Sequence, residues 1–240
     1  MKYYEKYEQR YQAVYAAGGD FWGFVPWDET LTAFLTQWVT ENSLTGKRIL
    51  ETCCGEGGAG VILSQLGCGY QGFDLAPSAL ERAKMLLEPY KNATVGRLDL
   101  AQDPIPGQYD GGLDVMGFHM LLTDDDRKGY LRHVYDALKP GAPMVFYNET
   151  YRTDAYEGPV NSYQQWLDIT GEDFVGSVKK YAKKGTEQLE VMIPRMPGRY
   201  RNEAGYRQEM EKAGFVVDRF QIENPWRASI WVHKPHSPTE

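Results

Sequence analysis

The 240 residues include 33 Asp and Glu against 26 Lys and Arg, a formal net charge of −7, with 42% hydrophobic and 25% charged residues. Such proportions belong to an ordinary globular chain and exclude wholesale disorder. The acidic balance argues against a partner of nucleic acid or anionic membrane, and no segment approaches the ~18 consecutive apolar residues of a membrane span. Three cysteines, with Cys53 and Cys54 adjacent and Cys68 apart, cannot form an all-paired set and point to a reducing compartment. The polar first 15 residues lack a signal peptide's apolar run, so the chain reads as cytoplasmic.

In chain order, Tyr3, Tyr7, Tyr11 and Tyr15 recur every four residues and predict one face of a helix, which Gly18-Gly19 breaks. An aromatic turn, Phe21-Trp22-Gly23-Phe24-Val25-Pro26-Trp27, follows. Strands are expected at 47–51, 69–74, 93–99, 109–118 and 142–149, with helical patterns at 59–66, 79–90 and 124–141 between them. That alternation implies crossovers and a parallel sheet covered on both faces.

Residues 150–198 are too long for a plain connection and read as a substrate cap, with Arg195 and Arg199 able to meet an acidic group. The basic run Lys179-Lys180-Tyr181-Ala182-Lys183-Lys184 reads as a solvated helix face. A helix at 201–215 precedes strands at 216–223 and 228–234, which a short turn at Asn224-Pro225 forces to pair antiparallel. The expected fold is therefore α/β: a doubly wound, Rossmann-like, seven-stranded sheet, mostly parallel with one antiparallel strand, and helices on both faces. We expect one domain, with an N-terminal helical lid (1–46), a core (47–149 and 199–240) and the insertion (150–198).

After the first strand, Gly55-x-Gly57-x-x-Gly60 opens a helix, and Asp74 stands 19 residues beyond Gly55 at the end of the next strand. Taken alone this satisfies a dinucleotide-binding fingerprint. Glu51, however, ends the first strand where a pyrophosphate would approach, and its carboxylate suits a cationic ligand better.

Several further segments fall in order. Ile49-Leu50-Glu51-Thr52-Cys53-Cys54-Gly55-Glu56-Gly57 resembles the first motif of the class I S-adenosylmethionine-dependent methyltransferases, with Cys53 in place of the first glycine. Gly72–Leu80 resembles the second, Arg97-Leu98-Asp99-Leu100 the third and Tyr109-Asp110 the start of the fourth; Leu138-Lys139-Pro140-Gly141 precedes strand five. The resemblance covers about two-thirds of the chain and implies a role for each matched position. Glu51 and the Cys53 carbonyl would meet the cofactor's ammonium, with Gly55 and Gly57 allowing close backbone approach. Asp74 would take the ribose hydroxyls, Leu75 would pack on adenine, and Asp99 and the Leu100 amide would meet the adenine edge. Met116 belongs to the same cofactor set. Small-molecule members, including relatives of thiopurine and tellurite-resistance methyltransferases, have an N-terminal lid, which assigns Tyr11, Tyr15 and Trp22 here.

Nucleobase amino-methyltransferases carry Asn/Asp-Pro-Pro-aromatic after strand four; Met116-Gly117-Phe118-His119 does not fit, so the expected acceptor is a small molecule. His119, at the carboxyl edge of the sheet, is the candidate base, with Tyr147 and Glu149 as lesser candidates and His133, His233 and His236 structural. Three other readings stay open: a nicotinamide-dependent oxidoreductase, a non-catalytic S-adenosylmethionine-binding module, and an arsenite methyltransferase using the three cysteines as soft ligands.

Overall fold

The computed structural model describes residues 2–236. Five parallel strands, β1 (Arg48–Thr52), β2 (Gly69–Asp74), β3 (Ala93–Arg97), β4 (Gly111–Val115) and β5 (Pro143–Thr150), alternate with helices α3 (Gly58–Gln65), α4 (Pro77–Leu87) and α5 (Asp124–Ala137). An earlier pair of helices, α1 (Tyr7–Ala16) and α2 (Glu29–Glu41), precedes β1. Beyond β5 come α6 (Tyr163–Thr170), the hairpin strands β6 (Ser177–Lys184) and β7 (Glu187–Pro194), α7 (Glu203–Lys212), β8 (Val216–Asn224) and β9 (Arg227–His233).

The main sheet has seven strands in the order β3-β2-β1-β4-β5-β9-β8, and β9 runs antiparallel to both neighbours. The expected topology, with one reversed strand next to the edge, is therefore present. Period-two alternation sorts the side chains: Ile49, Leu113 and Val145 join the core under α2, α3 and α4, while Leu50, Met144 and Phe146 join the core under α5 and α7. Capping fixes where helices start, as Asp28 accepts from the Leu31 amide and Thr123 from the Asp126 amide. Helix α2 buries Leu31, Leu35, Trp38 and Val39 in the sheet's own core, so only the part of residues 1–46 before it lies over the strand ends.

Two sequence expectations need correction. Residues 179–184 are not a helix face but most of β6, paired in register with β7 across a turn at Gly185 (φ +57°). Alternation along the strand buries Ala182 and turns Lys179 and Tyr181 to the opposite, exposed face, where Lys179 pairs with Glu190 at 2.9 Å. Arg199, expected to face an acidic ligand, is fully buried and holds the chain together: its guanidinium donates to the Leu122 and Gly158 carbonyls and to Asp124. Arg195 is engaged by Glu172 at the surface.

The N-terminal segment and the hairpin, far apart in sequence, form one packed unit. Val14 on α1 is buried against Ala182, Val191 and Ile193, and Arg10 Nε donates to the Pro194 carbonyl at 3.0 Å. The Asp20 amide and the Lys183 amide close the join by donating to the Lys183 and Phe21 carbonyls at 2.7 and 2.8 Å.

Candidate active site

Ligands of doubly wound sheets bind beyond the carboxyl ends of the strands, and two adjoining cavities lie there. The first, about 90 Å³, is lined by Asp74, Leu75, Asp99 and Leu100 below and by Tyr4, Tyr7 and Tyr11 above. The second, about 350 Å³, is lined by Glu51, Cys53, Gly55, Glu56 and Met116, with Lys183 reaching in from the hairpin. Tyr11, Trp22, Cys53 and Met120 line both, so they mark the junction.

Each carboxylate of the floor is held by donors. Asp74 accepts from the Gly55 amide and the Ala76 amide, both at 2.8 Å, which fixes the loop after β1 to the end of β2. Glu51 is nearly fully buried and accepts from the Tyr70 hydroxyl. Burial pushes its carboxyl up to about 8, a protonated acid at neutral pH that a cation would ionise. The loop itself turns through Cys53 at φ +55° and Met116 at φ +61°, left-handed positions held by non-glycine residues at the two strand ends.

Gly57 lines neither cavity. It caps α3 in the left-handed region (φ +79°), and a Cβ there would sit 3.2 Å from Ala83 Cβ, so its smallness serves the packing of α3 on α4. Tyr15 likewise lines neither cavity, because its hydroxyl donates to Glu56 Oε1 at 2.8 Å. Of the sequence-derived cofactor set, the structure thus gathers Tyr11, Trp22, Glu51, Cys53, Gly55, Asp74, Leu75, Asp99, Leu100 and Met116 around the two cavities, and leaves Tyr15 and Gly57 outside them.

Sequence reasoning passed over Glu56. It is buried, and besides Tyr15 it accepts from the backbone amides of Trp22 and Gly23, so one carboxylate pins the aromatic turn over the cleft. The only signal was an acid inside a glycine-rich loop. At the other end Lys2 Nζ and the Tyr4 hydroxyl donate to Asp99 at 3.0 and 3.1 Å, and the Tyr7 hydroxyl donates to the Pro197 carbonyl.

His119 lies in the 3₁₀ turn Phe118–Met120 after β4. Glu149 Oε2 accepts from its backbone amide and contacts its Nδ1, both at 2.8 Å. With the Nδ1 proton on that carboxylate, Nε2 is left as an acceptor. Burial, aided by the nearby Arg227 guanidinium, pushes the imidazole down to about 3, so the ring is neutral. Asp114, beneath, is raised well above the usual carboxylate range by burial and by the Glu149 charge.

Glu149 reaches this place through a β-bulge. Between Phe146 and Glu149 strand β5 carries one residue more than β9, with Asn148 at φ +61°. The slip turns Glu149 to the face opposite Tyr147, which instead stacks on Phe34 at 4.1 Å and takes no part in the site.

His119 lines a third cavity of about 550 Å³, which shares Tyr7 with the first, together with Arg10, Arg152 and Arg227. Cys68 contacts the Leu44 carbonyl just before β2, at the amino end of the sheet and opposite Cys53 and Cys54, so the three thiols cannot share one ligand. Among the described residues no three His, Cys, Asp or Glu side chains form a cluster able to hold a metal, and no helix is long and apolar enough to cross a membrane.

Residues 49–141 match the family model described as a methyltransferase domain. An S-adenosylmethionine-dependent methyltransferase from Clostridium acetobutylicum ATCC 824 superposes with a TM-score of 0.65 at 14% identity, over 98% of this chain and 99% of that one. The CcbJ methyltransferase from Streptomyces caelestis gives 0.65 at 14% identity over 96% and 99%. A TehB-like SAM-dependent methyltransferase from Corynebacterium glutamicum ATCC 13032 gives 0.57 at 17% identity over 96% and 97%. At these identities the likeness speaks to the fold, and it extends over lid and insertion as well as the sheet.

Proposed function

We propose that this chain is a class I S-adenosylmethionine-dependent methyltransferase acting on a small molecule, a reading supported by the methyltransferase domain matched over residues 49–141 and the fold around it. The observation that carries the proposal is the pair of cavities joined at Tyr11, Trp22, Cys53 and Met120, with carboxylates spaced along both.

The residues fit the cofactor. Glu51, a buried acid whose hydrogen-bond partner is one tyrosine, would meet the ammonium, and Lys183, the cation lining that cavity, would meet the carboxylate. Asp74 offers acceptor lone pairs to the ribose hydroxyls, and Leu75, Asp99 and Leu100 would take the adenine. When bound, the cofactor supplies an electrophilic methyl group on sulfonium, open to in-line displacement. Lys2 and Tyr4 occupy the Asp99 carboxylate that would take the adenine amino group, so the turn carrying them would lift from Asp99 for adenine to enter.

Once reclosed, Tyr11 and Trp22 exclude water, and positioning supplies most of the acceleration. His119 Nε2 accepts the hydrogen of the incoming nucleophile, while the Glu149 carboxylate compensates the developing imidazolium through Nδ1. An imidazole pushed down to about 3 is a weak base in the free protein, which favours acceptors that need alignment more than full deprotonation, such as amines and thiols. The three free cysteines accord with work in a reducing compartment.

Calorimetry with S-adenosylhomocysteine tests the assignment. Wild-type protein should bind it, and Asp74→Ala should weaken that binding at least tenfold. No binding by the wild type, or unchanged affinity in the variant, would refute it.

A further inference from the structure

The third cavity is cationic in a chain of net charge −7. Arg10, Arg152 and Arg227 all line it, each half-buried. Among the described residues none of the three makes an ion pair. Elsewhere Arg82, Arg127, Arg195, Arg199, Arg201 and Arg207 each meet a carboxylate within 4.0 Å. Arg48, Arg97, Arg132 and Arg219 also lack an ion pair among the described residues, but each is exposed to solvent, so what sets Arg10, Arg152 and Arg227 apart is that they are half-buried without a carboxylate. Glu172 also lines the cavity, but Arg195 engages it.

The guanidinium groups are held in ways that leave donors to spare. Arg152 lies over the rings of Tyr200 and Trp226, at 4.7 and 5.1 Å, so its faces are covered while its in-plane N–H groups stay free to fork onto an oxyanion. Arg227 Nη1 makes one long contact of 3.4 Å to the Asn148 carbonyl. Arg10 gives Nε to Pro194 and lies over the Tyr7 ring at 5.2 Å. Like charges sharing a half-buried cavity repel unless an anion joins them. The aromatic side chains lining the same cavity, Phe174, Tyr200 and Trp226 among them, supply flat apolar surface.

We propose that this cavity binds the methyl acceptor, and that the acceptor carries an oxyanion, carboxylate or phosphate, on a flat aromatic body, with Arg10, Arg152 and Arg227 as its specificity determinants. The proposal rests on the methyltransferase reading above, since His119, lining the same cavity, is what would meet the acceptor's nucleophile.

The test is calorimetry on the full chain saturated with S-adenosylhomocysteine, using salicylate, anthranilate and phenyl phosphate as probes, with salicylamide and benzylamine as neutral and cationic counterparts. At least one oxyanion probe should bind tenfold more tightly than salicylamide, and the preference between carboxylates and phenyl phosphate identifies the group. Arg152→Gln/Arg227→Gln should weaken that probe at least tenfold while S-adenosylhomocysteine affinity stays within twofold, which also reports that the variant is folded. The single Arg152→Gln variant should weaken it at least threefold.

The proposal is overturned if no oxyanion probe binds, if salicylamide or benzylamine binds as well, or if the variants keep the probe. Failure of S-adenosylhomocysteine itself to bind the wild type would overturn the methyltransferase reading instead.

Discussion

The floor of the cleft hangs from five strand ends, whereas its roof is α1 laid on a hairpin that forms a separate two-stranded sheet. On the floor, Asp74 and Glu149 are fixed by backbone amides of neighbouring loops. Helix α1 and the turn before it touch the rest of the site mostly by side-chain donors: Tyr4 and Lys2 on Asp99, Tyr15 on Glu56, Tyr7 on Pro197. A backbone amide cannot leave its acceptor without unmaking a loop, but a tyrosine hydroxyl can swing away and return. Such bonds contribute about 0.5–3 kcal/mol each, small enough to exchange for a ligand's own donors. The contrast teaches that the same kind of group, a carboxylate, is a permanent anchor where backbone amides donate to it and a releasable catch where side chains do.

That contrast can be broken most sharply at His119. If it acts from the floor on the acceptor, His119→Ala should lower kcat by about 10²-fold or more, with S-adenosylhomocysteine affinity within twofold; full turnover would assign the residue to packing alone. Glu51 comes next. Its proton is present below about pH 8 in the free protein and must leave as the ammonium docks. Affinity for S-adenosylhomocysteine should therefore rise by up to tenfold per pH unit toward pH 8, with proton release seen in buffers of different ionisation enthalpy. Glu51→Gln should flatten the slope, and a flat wild-type profile from pH 6 to 8 would remove the floor's electrostatic role.

The smallest effect is expected at the roof. Glu56→Gln should change S-adenosylhomocysteine affinity by less than about threefold but speed hydrogen exchange at the Trp22 and Gly23 amides, whose acceptor it is. Loss of affinity as large as that of a floor variant would erase the distinction.

The floor was legible in the sequence for a physical reason. Strand, tight turn, helix and a carboxylate at the next strand end are local patterns, and Glu51, Asp74 and Asp99 sit where those patterns place them. The roof was legible only as tyrosine periodicity. Its meaning depends on β6 and β7, which pair with each other rather than the main sheet and whose lysines imitate a solvated helix. Tyr15 shared the stripe with Tyr11 but meets Glu56, a partner 41 residues away that no periodicity reports. Arg199 was misplaced because solvent exposure is the default for arginine, and only the fold reveals the three acceptors around it. The unpaired arginines were invisible in the sequence, because being unpaired is a property of three-dimensional neighbours.

Asn148 carries a lesson about how chemistry changes while architecture stays. The strand upstream of it, through Phe146, keeps its parity with both cores. Everything downstream is offset by one position, and that offset is what brings a carboxylate under His119. Removing one residue there would leave the sheet's interior untouched, point Glu149 toward the opposite face and deprive the imidazole of its counter-charge. A single insertion or deletion in a strand can thus rewrite an active site without touching the core, a route to new reactions that substitution alone does not offer.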